Sequence, residues 1–265
     1  MSEHPVRTAA PIEPDAKSKR FYCDAMQALD RAGVPYLVGG GFAMAHYTGI
    51  ARNTKDLDLF VRPSDRDRLL TTLTALGYKT EFFYPFWIAK VLDGDAFIDV
   101  LYNSGNGVCL VDDEWFEYAL PHRVLDYETR LVPVEEQLWS KAFVQDRDRF
   151  DGADVHHLIL NLGHKLDWHR LLRRFEQHER VLLPHLLTFG YVYPSEQDQV
   201  PAWVMDHLET AIRNEPKDPA KICRGTQIAQ RSYWVDTHEW GYHDARVKPY
   251  GPLTPEEGEQ LPPPM

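Results

Sequence analysis

Tyr36–Phe60, YLVGGGFAMAHYTGIARNTKDLDLF, is the stretch on which the reading of the whole chain turns. An apolar run leads into Gly39-Gly40-Gly41, a short helical pattern covers Phe42 to Tyr47, and the stretch closes on Asp56-Leu57-Asp58-Leu59. A strand sends alternate side chains to opposite faces, so Asp56 and Asp58 project from one face, about 6–7 Å apart along it. Leu57 and Leu59 then face the core. Two carboxylates side by side repel each other, and a purely structural strand gains nothing from the pair. A hard divalent cation such as Mg2+ (or Mn2+) does need them, because it takes oxygen ligands from one or two carboxylates together with substrate phosphates.

A third carboxylate is available at Asp99, inside the apolar run Phe97-Ile98-Asp99-Val100-Leu101. Burying an acid there is costly unless it is paired or bound to a metal. Taken alone, Asp99 also reads as the solvent face of an edge strand; taken with Asp56 and Asp58, it reads as a third metal ligand. The glycines admit other readings. A dinucleotide fingerprint requires a glycine where Met44 stands, and a P-loop requires a downstream Gly-Lys-Ser/Thr that is absent. A plain strand-to-helix turn accounts for Gly39, Gly40 and Gly41 but leaves the aspartates unexplained.

A glycine pair, a short helix and then Asp-x-Asp, with a further acid on a later strand, resembles the signature of the DNA polymerase beta-like nucleotidyltransferase superfamily. Fourteen residues lie between Gly41 and Asp56, which leaves open which two of Gly39, Gly40 and Gly41 form the phosphate-side turn. The resemblance spans residues 17–155. It implies an α+β fold, with a mixed sheet and flanking helices followed by a C-terminal helical domain. It also implies catalytic, metal-binding roles for Asp56, Asp58 and Asp99, an NTP as substrate, and help from Asp99 in activating the acceptor hydroxyl. The segment from Glu135 to Asp154, with Lys141, Arg147, Arg149 and Asp151, is similar to that of the AbiEii-type branch. By that likeness Lys141 reaches the triphosphate; its bland alternative is a solvated helix face. Arg52 and Lys55, just before the acidic strand, are further phosphate candidates or ordinary loop charges.

Composition sets the outer bounds. The 265 residues, 43% hydrophobic and 26% charged, suit an ordinary globular protein with an adequate core. No window approaches a membrane span, and MSEHPVRTAAPIEPDAKSKR lacks the apolar region of a signal peptide. Cys23, Cys109 and Cys223 are widely spaced and odd in number, which suits a reducing cytoplasm better than a disulfide framework. A net charge of −11 disfavours a large nucleic-acid footprint, although a local basic patch is compatible with it.

Along the chain, residues 1–16 read as a disordered N-terminus, 17–133 as the nucleotidyltransferase core, 134–245 as a helical domain and 246–265 as a proline-rich tail. In the core a helix follows Asp15 and stops at Gly33. Strands are expected at Val34–Val38, Asp56–Val61, Trp87–Leu92, Ala96–Tyr102 and Val108–Val111. Ser64 is an expected N-cap, Asp93-Gly94-Asp95 a hairpin turn, and Arg123–Leu125 with Arg130–Val132 a small hairpin. Helices are expected over 134–146, 152–164, 167–177 and 203–213. The many histidines lack metal-site spacing.

These readings predict an Mg-dependent enzyme that moves an NMP from an NTP to a hydroxyl on a small molecule, a protein or an RNA end. RNA is the acceptor the acidic balance favours least. The rivals are an idle relative that only binds a nucleotide or a partner, a phosphodiesterase using the same acids, and a toxin whose partner is an antitoxin.

Overall fold

A computed structural model describes residues 12–52, 54 and 56–259. Residues 1–11, in the expected disordered N-terminus, 260–265, in the expected proline-rich tail, and Lys55 lie outside the described residues. The chain divides into two units, Met1–Pro133 and Val134–Met265.

The first unit begins with α1 (Ala16–Arg31). The Asp15 carboxylate caps it by accepting from the Lys17 and Ser18 N–H groups, at 2.9 and 3.1 Å. Phe21, Tyr22, Ala25, Met26 and Leu29 recur at helical spacing and form its buried face. The helix ends before Gly33, which sits at φ +64°. β1 (Leu37–Val38) is shorter than the expected Val34–Val38. Val34 still donates to the helix-end carbonyl of Leu29 (2.9 Å), and Pro35 has no N–H to give a ladder.

There follow α2 (Gly40–Thr48), β2 (Asp56–Phe60) and α3 (Pro63–Ala75). The expected cap at Ser64 is replaced by Pro63 in the first turn, a position where the missing N–H costs nothing. Next come β3 (Lys79–Tyr84), β4 (Ile88–Asp93), β5 (Ala96–Leu101), α4 (Asp113–Glu117), β6 (Leu120–Val124) and β7 (Tyr127–Leu131). Val108–Val111 forms no strand. Leu110 bonds locally to Val108, and Val111 donates to Tyr102 (3.2 Å).

The seven strands make one mixed sheet in the order β3-β4-β5-β2-β1-β7-β6. β2 runs parallel to β5 and β1 parallel to β7, whereas the remaining neighbours are antiparallel. Gly94, at φ +63°, opens the two-residue turn between β4 and β5, where Asp93 pairs with Ala96. The inward rows of the central strands, Leu57, Leu59, Ile98, Val100, Ala89 and Val91, are fully buried, as are Leu69 and Leu73 of α3.

The second unit holds α5 (Val134–Ala142), α6 (Gly152–Leu162), α7 (Trp168–Phe175), α8 (Glu179–Val192), α9 (Ala202–Asn214), β8 (Ile222–Cys223), α10 (Trp234–His238), β9 (His243–Asp244) and α11 (Pro255–Gly258). α5 is tied to α7 by buried charges. The Arg170 guanidinium donates to both Glu136 oxygens (2.6 and 2.7 Å) and to Glu135, and Arg174 Nε donates to Glu136 (2.9 Å). Residues 246–259, expected as part of a tail, pack instead. Arg246 is buried on Asp244 (2.6 Å), Leu253 is buried, and Thr254 with Glu257 forms a capping box. Among the described residues no helix is long and apolar enough to cross a membrane.

Candidate active site

β2 alternates as its sequence requires. Leu57 and Leu59 are fully buried, while Asp56 and Asp58 lie half-buried on the opposite face. β5 runs alongside in parallel register, which sets Asp58 directly opposite Asp99 and Asp56 opposite Phe97. Asp56, Asp58 and Asp99 each offer an oxygen, all within 4.8 Å of one another. Three hard oxygen donors at that spacing match the preference of Mg2+ or Mn2+ for carboxylate ligands. The acids therefore fit the metal that the sequence implies.

The glycine turn abuts this cluster. Gly39 donates its N–H to the Asp58 carbonyl (3.0 Å), which fastens the end of β1 to the acidic strand. Gly40 follows at φ +54°, and a Cβ built there lies 1.6 Å from Asp58 Oδ2. Only glycine leaves that oxygen in place. Gly40 and Gly41 open α2, whose first N–H groups have no partner within the helix and carry the positive end of its dipole. The structure thus makes Gly40-Gly41 the helix-opening pair and Gly39 the residue before it, with its own Cβ direction closed off by the Phe60 ring (2.3 Å).

Charge around the acids is balanced by side chains that sequence reasoning passed over. Lys90 of β4 stands opposite Asp99 and donates to its Oδ1 at 2.6 Å. Burial raises the Asp99 carboxyl above its ordinary value, and the Lys90 ammonium works against that rise. Thr54 Oγ1 donates to Asp56 Oδ1. The buried Tyr22 phenol is pushed up to about 12, mainly by burial, with Asp56, Asp15, Asp58 and Asp99 adding to it. The sequence did contain a signal for Lys90. Once Gly94-Asp95 is taken as a two-residue turn, the antiparallel register places residue 90 against residue 99.

Lys141 lies in the second unit. Its half-buried ammonium donates to Asp151 (3.0 Å) and Asp154 (2.7 Å), while Arg149 flanks Asp151 at 3.2 Å. Lys141, Arg149, Asp151 and Asp154 therefore form one ion-pair cluster, whereas Arg147 gives its backbone N–H to Asp146. Further along, the Asp244 carboxylate accepts from Thr226 Oγ1 (2.7 Å) and from Arg246 (2.6 Å).

A mixed sheet whose adjacent parallel strands carry three converging acids, beside a helix opened by glycines, is the arrangement that the sequence resemblance implies. Residues 23–99 match the family model described as aminoglycoside-2''-adenylyltransferase, a span that takes in the glycine turn and all three aspartates. That match covers less than a third of the chain, and it makes this segment similar to the nucleotidyltransferases. Among solved structures, that of the antibiotic-resistance factor ANT(2'')-Ia is similar at 18% identity, covering 65% of this chain and 98% of that one with a TM-score of 0.44. The lincosamide antibiotic adenylyltransferase LnuA aligns at 17% identity over 54% of this chain and 96% of its own, TM-score 0.39. A nucleotidyltransferase-like protein from Paracoccidioides brasiliensis aligns at 20% identity over 68% and 94%, TM-score 0.34. No curated protein matches.

Proposed function

We propose that the protein transfers a nucleoside monophosphate from an NTP, with ATP as the first candidate, to a hydroxyl group of a small molecule. The observation that carries this reading is the convergence of Asp56, Asp58 and Asp99 on one point beside Gly40. The adenylyltransferase family match over the same residues supports the choice of nucleotide and of a small acceptor.

Asp56, Asp58 and Asp99 would hold divalent cation. When bound, it neutralises triphosphate charge and stabilises the attacking and leaving oxygens. The chain's own groups do the rest. The N–H groups at the start of α2 point at phosphate with no side chain at Gly40 or Gly41 to keep it away. Asp99 accepts the proton of the acceptor hydroxyl as its oxygen bonds to the α-phosphorus. The bond from that phosphorus to the bridging oxygen breaks, and pyrophosphate leaves with the electron pair. Lys90 keeps Asp99 aimed at the cluster. For Lys141, two of three ammonium donors are engaged by Asp151 and Asp154, and the third is the one proposed for a phosphate oxygen. Catalysis in this scheme rests on positioning and charge, with no covalent enzyme intermediate.

Incubation with each labelled NTP, Mg2+ and a cell extract tests the proposal. A small-molecule fraction should become labelled, and Asp58→Asn should abolish the labelling. Undiminished labelling by that variant removes Asp58 from the site.

A further inference from the structure

Asp99 belongs to a row of charges. Across the ladder, Glu81 of β3 lies opposite Lys90, Lys90 opposite Asp99, and Asp99 opposite Asp58. Residues so paired share a face of the sheet. The adjacent row on that face reads Lys79, Leu92, Phe97 and Asp56. Glu81 is neutralised by Lys79, and Lys90 by Asp99. Beyond the three acids, β3, β4 and β5 therefore present no surplus negative charge here. They present a fixed ammonium between two rings. Lys90 Nζ lies 4.1 Å from the Phe97 ring centre and 5.5 Å from that of Phe83, which is 55% exposed.

We infer that Lys90 selects the acceptor: the compound brought to Asp99 is uncharged or anionic around its reacting hydroxyl, rests an apolar face on Phe83 and Phe97, and is not a polycation. This rests on the reading of the triad as a nucleotidyl-transfer site. Lys90 Nζ is 2.6 Å from Asp99 Oδ1, so a hydroxyl that gives its proton to Asp99 comes within about 6 Å of a fixed positive charge. Taken by itself, that charge disfavours an acceptor ammonium at this distance by roughly a hundredfold at an effective dielectric of about 20, before salt screening, and so cancels the pull that the Asp99 carboxylate would otherwise exert on a cation. An acid at position 90 would reverse the sign of the row, which would then run Glu81, acid, Asp99, Asp58. The rejection works by built-in repulsion, the usual way in which an otherwise permissive surface becomes selective.

The test uses the wild type, Lys90→Glu and Lys90→Met. Lys90→Met keeps an apolar stem beside Phe97 and Phe83 and carries the comparison if Lys90→Glu does not fold. Each is incubated with α-labelled NTP, Mg2+ and small-molecule extract divided on a cation exchanger into a retained, cationic pool and an unretained, neutral and anionic pool. Calorimetry with a non-hydrolysable ATP analogue and Mg2+ runs in parallel. The expected result is labelling of the unretained pool by the wild type. The ratio should shift at least tenfold toward the retained pool in Lys90→Glu and less, in the same direction, in Lys90→Met, with nucleotide binding kept. Labelling of the retained pool by the wild type, labelling of neither pool by nucleotide-bound wild type, or an unmoved ratio in variants that bind nucleotide overturns the inference. A wild type that binds no nucleotide brings down the transfer reading, and the inference with it.

Discussion

Replacing Gly40 by alanine separates the fold from the site within a single methyl group. At φ +54° an alanine costs roughly 1–2 kcal/mol of backbone strain, a loss that a domain of ordinary stability survives. The larger effect is local. The new Cβ would sit 1.6 Å from Asp58 Oδ2, 2.5 Å from its Cγ and 3.0 Å from its Cβ, so the carboxylate must rotate out of the cluster. The site then loses one of three ligand groups. Moving an outer-shell partner typically costs about 10–100-fold in metal affinity, and loss of a direct ligand should reach at least that. Gly41→Ala is the control, because the atoms nearest its Cβ belong to the Thr54 side chain, at 3.1 Å or more, so a shift of a few tenths of an ångström accommodates it with no aspartate displaced. Gly39→Ala pushes into the Phe60 ring and should lower stability without displacing Asp58 directly. Thermal unfolding, Mn2+ titration and labelled-NTP turnover on the three variants give the comparison. Metal affinity and turnover of Gly40→Ala within twofold of wild type, or a larger loss in Gly41→Ala, refutes the reasoning.

Three further outcomes are expected. Lys141→Met takes the ammonium from the buried Asp154, while Asp151 keeps Arg149, and urea unfolding should show a loss of about 3 kcal/mol; a change below about 1 kcal/mol contradicts the Lys141–Asp154 pair. Lys90→Met removes the group that holds the Asp99 pKa down against burial, so the acid limb of kcat/KM should move to higher pH; an unmoved limb counts against an ionised Asp99 in catalysis. His178 is pushed from its ordinary 6.5 down to about 4, first by burial and then by Arg224. Because the unfolded chain takes up that proton first, stability present above pH 6.5 is lost as pH falls toward 4. His178→Gln should flatten that part of the curve, as read from denaturant midpoints at each pH.

Period-two alternation alone put Asp56 and Asp58 on one face, and the Asp93-Gly94-Asp95 signal located the hairpin that carries Asp99. The register across that turn also fixes Lys90, a consequence the sequence held but that only a strand-by-strand pairing draws out. Other features were hidden for physical reasons. β3 is an edge strand with neither face buried, so its residues show no alternation to read. α8 contains Pro184, which reads as a break although the helix continues through it. Residues 246–259 look like a tail by proline content, yet Arg246 and Leu253 are buried, with Arg246 held by the Asp244 carboxylate and the Gly258 carbonyl. Which glycine must be glycine depends on a 1.6 Å approach to Asp58, a fact of three dimensions.

The most direct test is a crystal grown with Mn2+ and a non-hydrolysable NTP analogue, read by anomalous scattering. The account predicts a peak coordinated by oxygens of Asp56, Asp58 and Asp99, with the triphosphate laid against the start of α2. Mn2+ bound elsewhere, or Asp99 turned out of the cluster while nucleotide is bound, contradicts it.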